Sequence, residues 1–349
     1  MSYQVEQLIQ LALKEQTTKG TAESSFQATD VVEVEAGAKF THSPHVRNIR
    51  LVSGGYGWSK SIIGPREVGI SASLPFRTGG AAKSPGDIAK FLQASGFKQT
   101  IDTGNTGIYT FTPTAKPTEQ KAFTAWMLSG NPDSSSCITY IAQDVMGSGK
   151  ITLDFNDAVA LFSFEGKGAL ASIPASGSHT AKTPNSTPTP ALIDATISIF
   201  GDSDLIPINI EIDIKNTVMV TLNPTKDNGL GISLITNREI DYTMKVYKRT
   251  SIDPFAGLFT GLEGGISVEW GVDNNKFTVN TTNAEITGIG ESDQDGVTCY
   301  DISGKILDDD LTVTIDTSDG STGGGGGGTG GEDGGTGGDG GGTGGEDEG

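Results

Sequence analysis

The sequence predicts a mainly β protein, built as two tandem antiparallel β-sandwich or half-barrel domains that each hold one short helix. Three observations predict it. Apolar and polar residues alternate through segments such as Val68, Ile70, Ala72 and Leu74, the pattern of a half-buried strand. Residues 172–190 carry four prolines among serines and threonines with no apolar period, which reads as an interdomain linker. On either side of that linker the same features recur in one order: a glycine-bearing loop, an Arg-Glu strand start (Arg66-Glu67, Arg238-Glu239), a proline-led helix and a late strand with Gly-Lys (Gly166-Lys167, Gly304-Lys305).

The predicted divisions are an N-terminal arm at 1–28, a first β domain at 29–171, the linker at 172–190, a second β domain at 191–318 and a tail at 319–349. Residues 321–349 hold 18 of the 50 glycines and six acids with no base. Such a segment cannot bury apolar surface and is expected to be disordered.

Within the arm, Val5, Leu8, Ile9, Ala12 and Leu13 fall at helical spacing and predict a short amphipathic helix over 3–14. Strands are predicted at 31–36 and 45–53, then a long glycine-rich loop at 53–65 that bears Tyr56, Trp58 and Lys60. A strand at 66–76 leads into a helix at 84–96, where Ser84 caps the first N–H groups, Pro85 fits the first turn and Gly96 suits a left-handed exit. Its apolar face is Ile88, Phe91 and Leu92. The matching helix at 253–265 has Phe255, Leu258, Phe259 and Leu262. A strand at 108–112 and a second helix at 118–130, with Ala122, Phe123, Trp126 and Met127 inward, lie in an insertion at about 98–136 that the second half lacks. Strands at 137–145, 150–155 and 160–165 follow, joined by tight turns at 146–149 and 156–157. The second half reads as strands at 207–214 and 218–222, a loop at 223–236, and strands at 237–248, 266–270, 276–281, 284–288, 296–306 and 311–315.

The net charge of −19 argues against binding a nucleic-acid backbone by phosphate neutralisation, which needs a basic patch, and suits repulsion of a polyanion. Cys137 and Cys299 have no Cys or His neighbour at metal or redox spacing and read as buried free thiols. The N-terminus lacks a basic start and a small-residue cleavage site, and no apolar run approaches membrane length, so the protein is expected to be made and kept in the cytoplasm, with no membrane partner.

Gly147-Ser148-Gly149-Lys150 lacks the first glycine of a phosphate loop, since Asp144 stands there, and is read as a β-turn. Glu291, Asp293 and Asp295 alternate ahead of Gly296 like the opening of a calcium loop. The bidentate position is Ile302, however, and an acidic hairpin turn accounts for the run. A repeat-like match in the tail, ending at Asp339, has Gly341 where a calcium roll needs an apolar residue. His42, His45 and His179 stand without a carboxylate or thiol set at metal spacing, and no nucleophile motif or carboxylate pair occurs. No cofactor, metal or enzymatic activity is expected.

The second half, with NREIDYTMKVYK followed by DGVTCYDISGKI and LTVTI, resembles the major tail tube proteins of long-tailed bacteriophages. REVGISASLPF and KITLDFNDAVALFSFEGKGAL in the first half resemble the same family's strand and hairpin signatures. The resemblance implies subunits that pair edge to edge into rings, stacked into a hollow tube through which DNA passes without specific binding. Single-domain members close as hexamers, so a duplicated chain implies a trimer with pseudo-six-fold symmetry, with a hexamer as the alternative. It also implies other tail proteins as partners, a place in the virion tail after assembly in the host cytoplasm, and inter-ring contacts from the two long loops, at Tyr56, Trp58, Lys60, Asn223, Lys226, Asp227 and Asn228. A second reading is a receptor- or glycan-binding β module, with Tyr56 and Trp58 as its platform.

Overall fold

The computed structural model describes residues 9–48, 61–80, 83–102, 107–130, 137–203, 205–248 and 263–318. Residues 1–318 gather into one compact unit, and the tail lies outside the described residues. The elements are β1 (Ile9–Glu15), β2 (Val31–Val32), β3 (Lys39–Asn48), β4 (Ser61–Pro75), α1 (Ile88–Ala94), β5 (Phe97–Ile101), β6 (Ile108–Pro113), β7 (Phe123–Ser129), β8 (Cys137–Asp154) and β9 (Val159–Gly177). They continue as β10 (Thr196–Ile199), β11 (Pro207–Leu222), β12 (Leu230–Tyr247), β13 (Glu263–Val272), β14 (Asn275–Gln294), β15 (Val297–Ile306) and β16 (Thr312–Asp316). The chain is mainly β with antiparallel pairing, as the alternation predicts.

Connectivity recurs along the chain. Pairing runs β3-β4-β9-β8-β7-β1 through the earlier strands and β11-β12-β15-β14-β13-β10 through the later ones. The matched sequence features occupy matched rungs. Ile70 lies between Phe40 and Gly166, and Tyr242 lies between Ile212 and Gly304. Arg66-Glu67 and Arg238-Glu239 therefore lie at matching distances from these rungs, inside β4 and β12.

The two sets of strands share one apolar core. β8 pairs with β11 through Gly149–Ile214 to Asp154–Asn209, and the β5–β6 hairpin pairs with β16. The insertion at 98–136 is thus divided, with its hairpin extending the later strands and β7 lying between β1 and β8. Phe76 meets Trp270 and Phe277 edge-on at centroid distances of 5.3 and 5.5 Å, joining the end of β4 to the β13–β14 hairpin.

Several local expectations are corrected. The predicted helices at 3–14 and 118–130 are instead strands β1 and β7 at Ile9–Glu15 and Phe123–Ser129, with turn and coil over 118–122. Leu11, Ala12 and Leu13, and all of β7, are buried on both faces, because Phe26 and its neighbours cover the side away from the main core. A strand buried twice loses its alternation and reads like a helix face. Residues 146–149 form no turn but run through the middle of β8, between β9 and β11. A Cβ at Gly147 would collide with Glu165 O, and one at Gly149 with the Phe162 ring, so these glycines permit close packing.

The loop predicted at 53–65 gives way to β4 from Ser61, and its earlier residues lie outside the described ones; the loop predicted at 223–236 ends at 229, before β12, and 207–222 is one strand opposite an extra residue, Thr236, on β12 rather than a break. The strand predicted at 31–36 shrinks to β2, and the one predicted at 45–53 begins earlier as β3 and is described to Asn48. α1 starts at Ile88, three residues beyond Pro85, because Gly86 takes φ +79°. Ser84 Oγ accepts from Gly86 N there, so it closes the approach to the helix instead of capping it. Its exit is as predicted, with Gly96 at φ +81° and Ile88, Phe91 and Leu92 buried. β9 continues to Gly177, into the proline-rich stretch, and residues beyond it fasten to the early strands through Gln10–Thr180 and Lys182–Asp87 hydrogen bonds. The second helix lies outside the described residues apart from Glu263, Gly264 and Gly265, which begin β13.

Candidate functional site

The feature with functional potential is the seam where the early strands meet the later ones, together with the polar face it crosses. At the seam, Ile210 and Ile212 of β11 lie opposite Leu153 and Ile151 of β8, and all four side chains are buried. On the other face Lys150 reaches Glu211 at 2.8 Å. The seam ends at a polar knot. Asn216 Nδ2 donates to Ser95 O (2.8 Å) and Gly147 O (2.7 Å), and Arg238 Nε donates to Asn216 Oδ1 (2.9 Å). Arg238 also donates to Gly96 O (3.1 Å) and Asp309 (3.3 Å), so one side chain ties the end of α1 to the later strands.

The polar face follows from period two. Glu211, Asp213 and Lys215 on β11, Glu239 and Asp241 on β12, and Asp301 and Lys305 on β15 alternate with buried apolar residues. On the earlier strands, Glu67 and Glu165 with Lys167 continue the face. Acids outnumber lysines there, and its cations are lysines rather than arginines. Ion pairs such as Lys215–Asp241 (2.6 Å) lie in the open and neutralise without locking. A groove of about 240 Å³ crosses this face between Lys150, Glu211, Asp241 and Lys305.

Among the described residues β2, β5 and β10 each pair on one side alone, and β3 and the end of β14 are open as well. β3 pairs with β4 on one side alone. The second half of β14, from Gly288 to Gln294, pairs with β15 alone, since β13 stops at Glu285 and β16 at Lys276–Asn280. β14 then turns into β15 through Asp295 and Gly296, both at positive φ, with Gly296 N donating to Asp293 Oδ1 (3.0 Å). The acidic run at 291–296 is therefore a hairpin end, as the sequence reading held.

Of the residues nominated for contact between rings, Tyr56, Trp58 and Lys60 lie outside the described residues. The others sit on the 223–229 loop in different roles. Asn228 is buried, donates to Leu170 O (3.0 Å) and accepts from Leu230 N (3.0 Å). Lys226 Nζ donates to Gly20 O, and Asn223 Oδ1 accepts from Thr225 N (3.1 Å) in a turn of its own. Asp227 is the one of the four that is exposed. The loop thus rests on the N-terminal segment of the same chain.

Beneath it, Asp144 is fully buried at φ +54°, and its Oδ1 accepts from Gly20 N (2.7 Å). Burial pushes this carboxyl above the ordinary range, against the pull of the Gly20 N–H, Lys226 and Lys19. Sequence reasoning missed both this carboxylate and the open edges. The available signal was charge segregation, because β3 (KFTHSPHVRN) has bases and no acid, whereas the end of β14 (GESDQ) has acids and no base.

Cys137 and Cys299 are buried and unpaired. Among the described residues no three His, Cys, Asp or Glu side chains gather as a metal site, and no helix is long and apolar enough to cross a membrane. No family model matches the chain, and no characterised protein matches it in sequence.

Proposed function

We propose that this chain is a non-enzymatic structural subunit of a phage tail tube, which assembles into stacked rings that form a conduit for genome delivery. The observation that carries the reading is the β8–β11 seam, where one strand set adds its edge to a second set of like connectivity, while β3 and β14 keep the corresponding edges open. Edge-to-edge closure consumes strand edges that would otherwise invite aggregation. Each chain supplies two tube repeats, so three chains close a pseudo-six-fold ring.

The acid-rich polar face lines the bore. DNA needs clustered basic side chains to be held, so a face of acids and scattered lysines lets it slide. The loop at 223–229 lies at the ring's rim, where the next ring or another tail protein meets it. The protein works in the virion tail and assembles in the host cytoplasm. Negative-stain electron microscopy of the concentrated full-length protein tests the reading: rings or tubes with a central hole are expected, and a dispersed monomer at every concentration refutes it.

A further inference from the structure

We infer that two copies of this chain join by adding β3 of one to the open half of β14 in the other, residues 39–42 against 289–292, with Thr41 opposite Gly290. This deepens the assembly proposed above and rests on it for one point alone, that copies associate. The register comes from the seam inside the chain. Phe40 and Ile212 are counterparts, because each faces the residue, Ile70 or Tyr242, that sits opposite the glycine of Gly-Lys. Gly149 and Ile289 are counterparts, because each faces the residue two before that glycine, Phe164 or Ile302. Within the chain Asp213 of β11 lies opposite Lys150 of β8. Carried to the counterparts, the same rung brings Thr41 opposite Gly290.

A further observation agrees with a second copy as the occupant. Phe40 and Ile289 are each half-buried at the rim of the core, on the core-facing side of their strands. They become diagonal neighbours across the junction and cover one another, as Ile212 and Leu153 neighbours do at the inner seam. The ladder stops before Pro44, which has no N–H to give.

The test is a pair of cysteines in the full chain. Directly opposed residues of an antiparallel ladder have Cα atoms about 4.5–5.5 Å apart, inside the roughly 4.4–6.8 Å range of a disulfide. Thr41→Cys with Gly290→Cys is expected to give, under mild oxidation, a ladder of cross-linked products that ends at a closed covalent trimer. Lys39→Cys with Gly290→Cys places the thiols on a diagonal of about 7–8 Å and is expected to cross-link poorly. In parallel, amide hydrogen exchange of the unmodified protein reads the same edges, with protection at 39–42 and 289–292 rising by at least about tenfold on assembly.

Rings that form without the 41–290 cross-link, or with equal cross-linking in the control, overturn the register while leaving the tube reading intact. A cross-linked ladder in open filaments with no central hole upholds the junction and removes the tube. Should the cysteine variants fail to fold, unchanged exchange at both edges in assembled wild-type protein overturns the inference by itself. A chain that stays monomeric overturns both.

Discussion

Replacing Arg238 by methionine removes a guanidinium whose side chain is 4% exposed and leaves an apolar chain of similar length. Burial pulls the group's pKa down and Asp309 pulls it back, so it stays charged and is held by what surrounds it. Two of its hydrogen bonds are interior, to Gly96 O at 3.1 Å and to Asn216 Oδ1 at 2.9 Å. Hydrogen bonds to a charged group contribute about 1.5–3 kcal/mol each, and their loss leaves the Asn216 amide oxygen without a donor, while Gly96 O keeps Thr114 N at 3.0 Å. The Asp309 contact is to a carboxylate 36% exposed, which water re-solvates, so it adds at most about 1 kcal/mol.

Arg238→Met should therefore cost about 3–5 kcal/mol. Arg66 supplies the control on the matched rung. It is half-buried, and its backbone N–H, which donates to Asn228 O at 3.1 Å, survives substitution. Arg66→Met should cost less than about 1 kcal/mol. Urea unfolding followed by the fluorescence of the buried Trp126 and Trp270 measures both, from the shift in midpoint at constant slope. If Arg238→Met falls within about 1 kcal/mol of wild type, or Arg66→Met costs as much, the tie between α1 and the later strands is not what stabilises the unit.

Three further outcomes are expected. Gly96→Ala should destabilise by about 1–2 kcal/mol in the same urea assay, since φ is +81° there and a Cβ would press on Ile235 and the Arg238 guanidinium; a neutral effect would refute the left-handed exit. Asp144 has a folded pKa raised above its unfolded value of 3.8, so the folded state holds the proton more tightly and this carboxyl's contribution to stability falls as pH rises from about 4. Asp144→Asn, which tolerates the positive φ, should be more stable than wild type at pH 7 by up to about 1 kcal/mol, with the gap closing toward pH 4. A pH-independent gap, or one of opposite sign, would show that the lysines govern the site. Cys137 and Cys299 should resist a thiol reagent in native buffer and react fully in denaturant, and rapid native labelling would contradict their burial.

Where a segment's fate depended on its own residues, it was legible. The period-two runs of β4, β11 and β12 mark strands with one wet face, the apolar triad of α1 marks its core side, and Asp295-Gly296 marks a turn. The recurrence of Arg-Glu and Gly-Lys also had meaning, because those residues hold equivalent rungs of two ladders. The candidate site was less legible. Asn228 looked like an exposed loop residue and is an internal clamp, and the edges of β3 and β14 gave no motif.

By itself, then, the sequence determined the class of the fold, the solvent-facing side of its half-buried strands and the scarcity of basic clusters on an acidic chain. Tertiary structure decided what partners decide. Leu11 to Leu13 and β7 become strands because neighbours cover both their faces, and Gly147 and Gly149 become mid-strand residues because β9 and β11 press close on either side. The β8–β11 seam arises from two segments far apart in the chain. A strand's energy resides in cross-strand pairs and two-sided burial, and neither is a property of the strand's own residues.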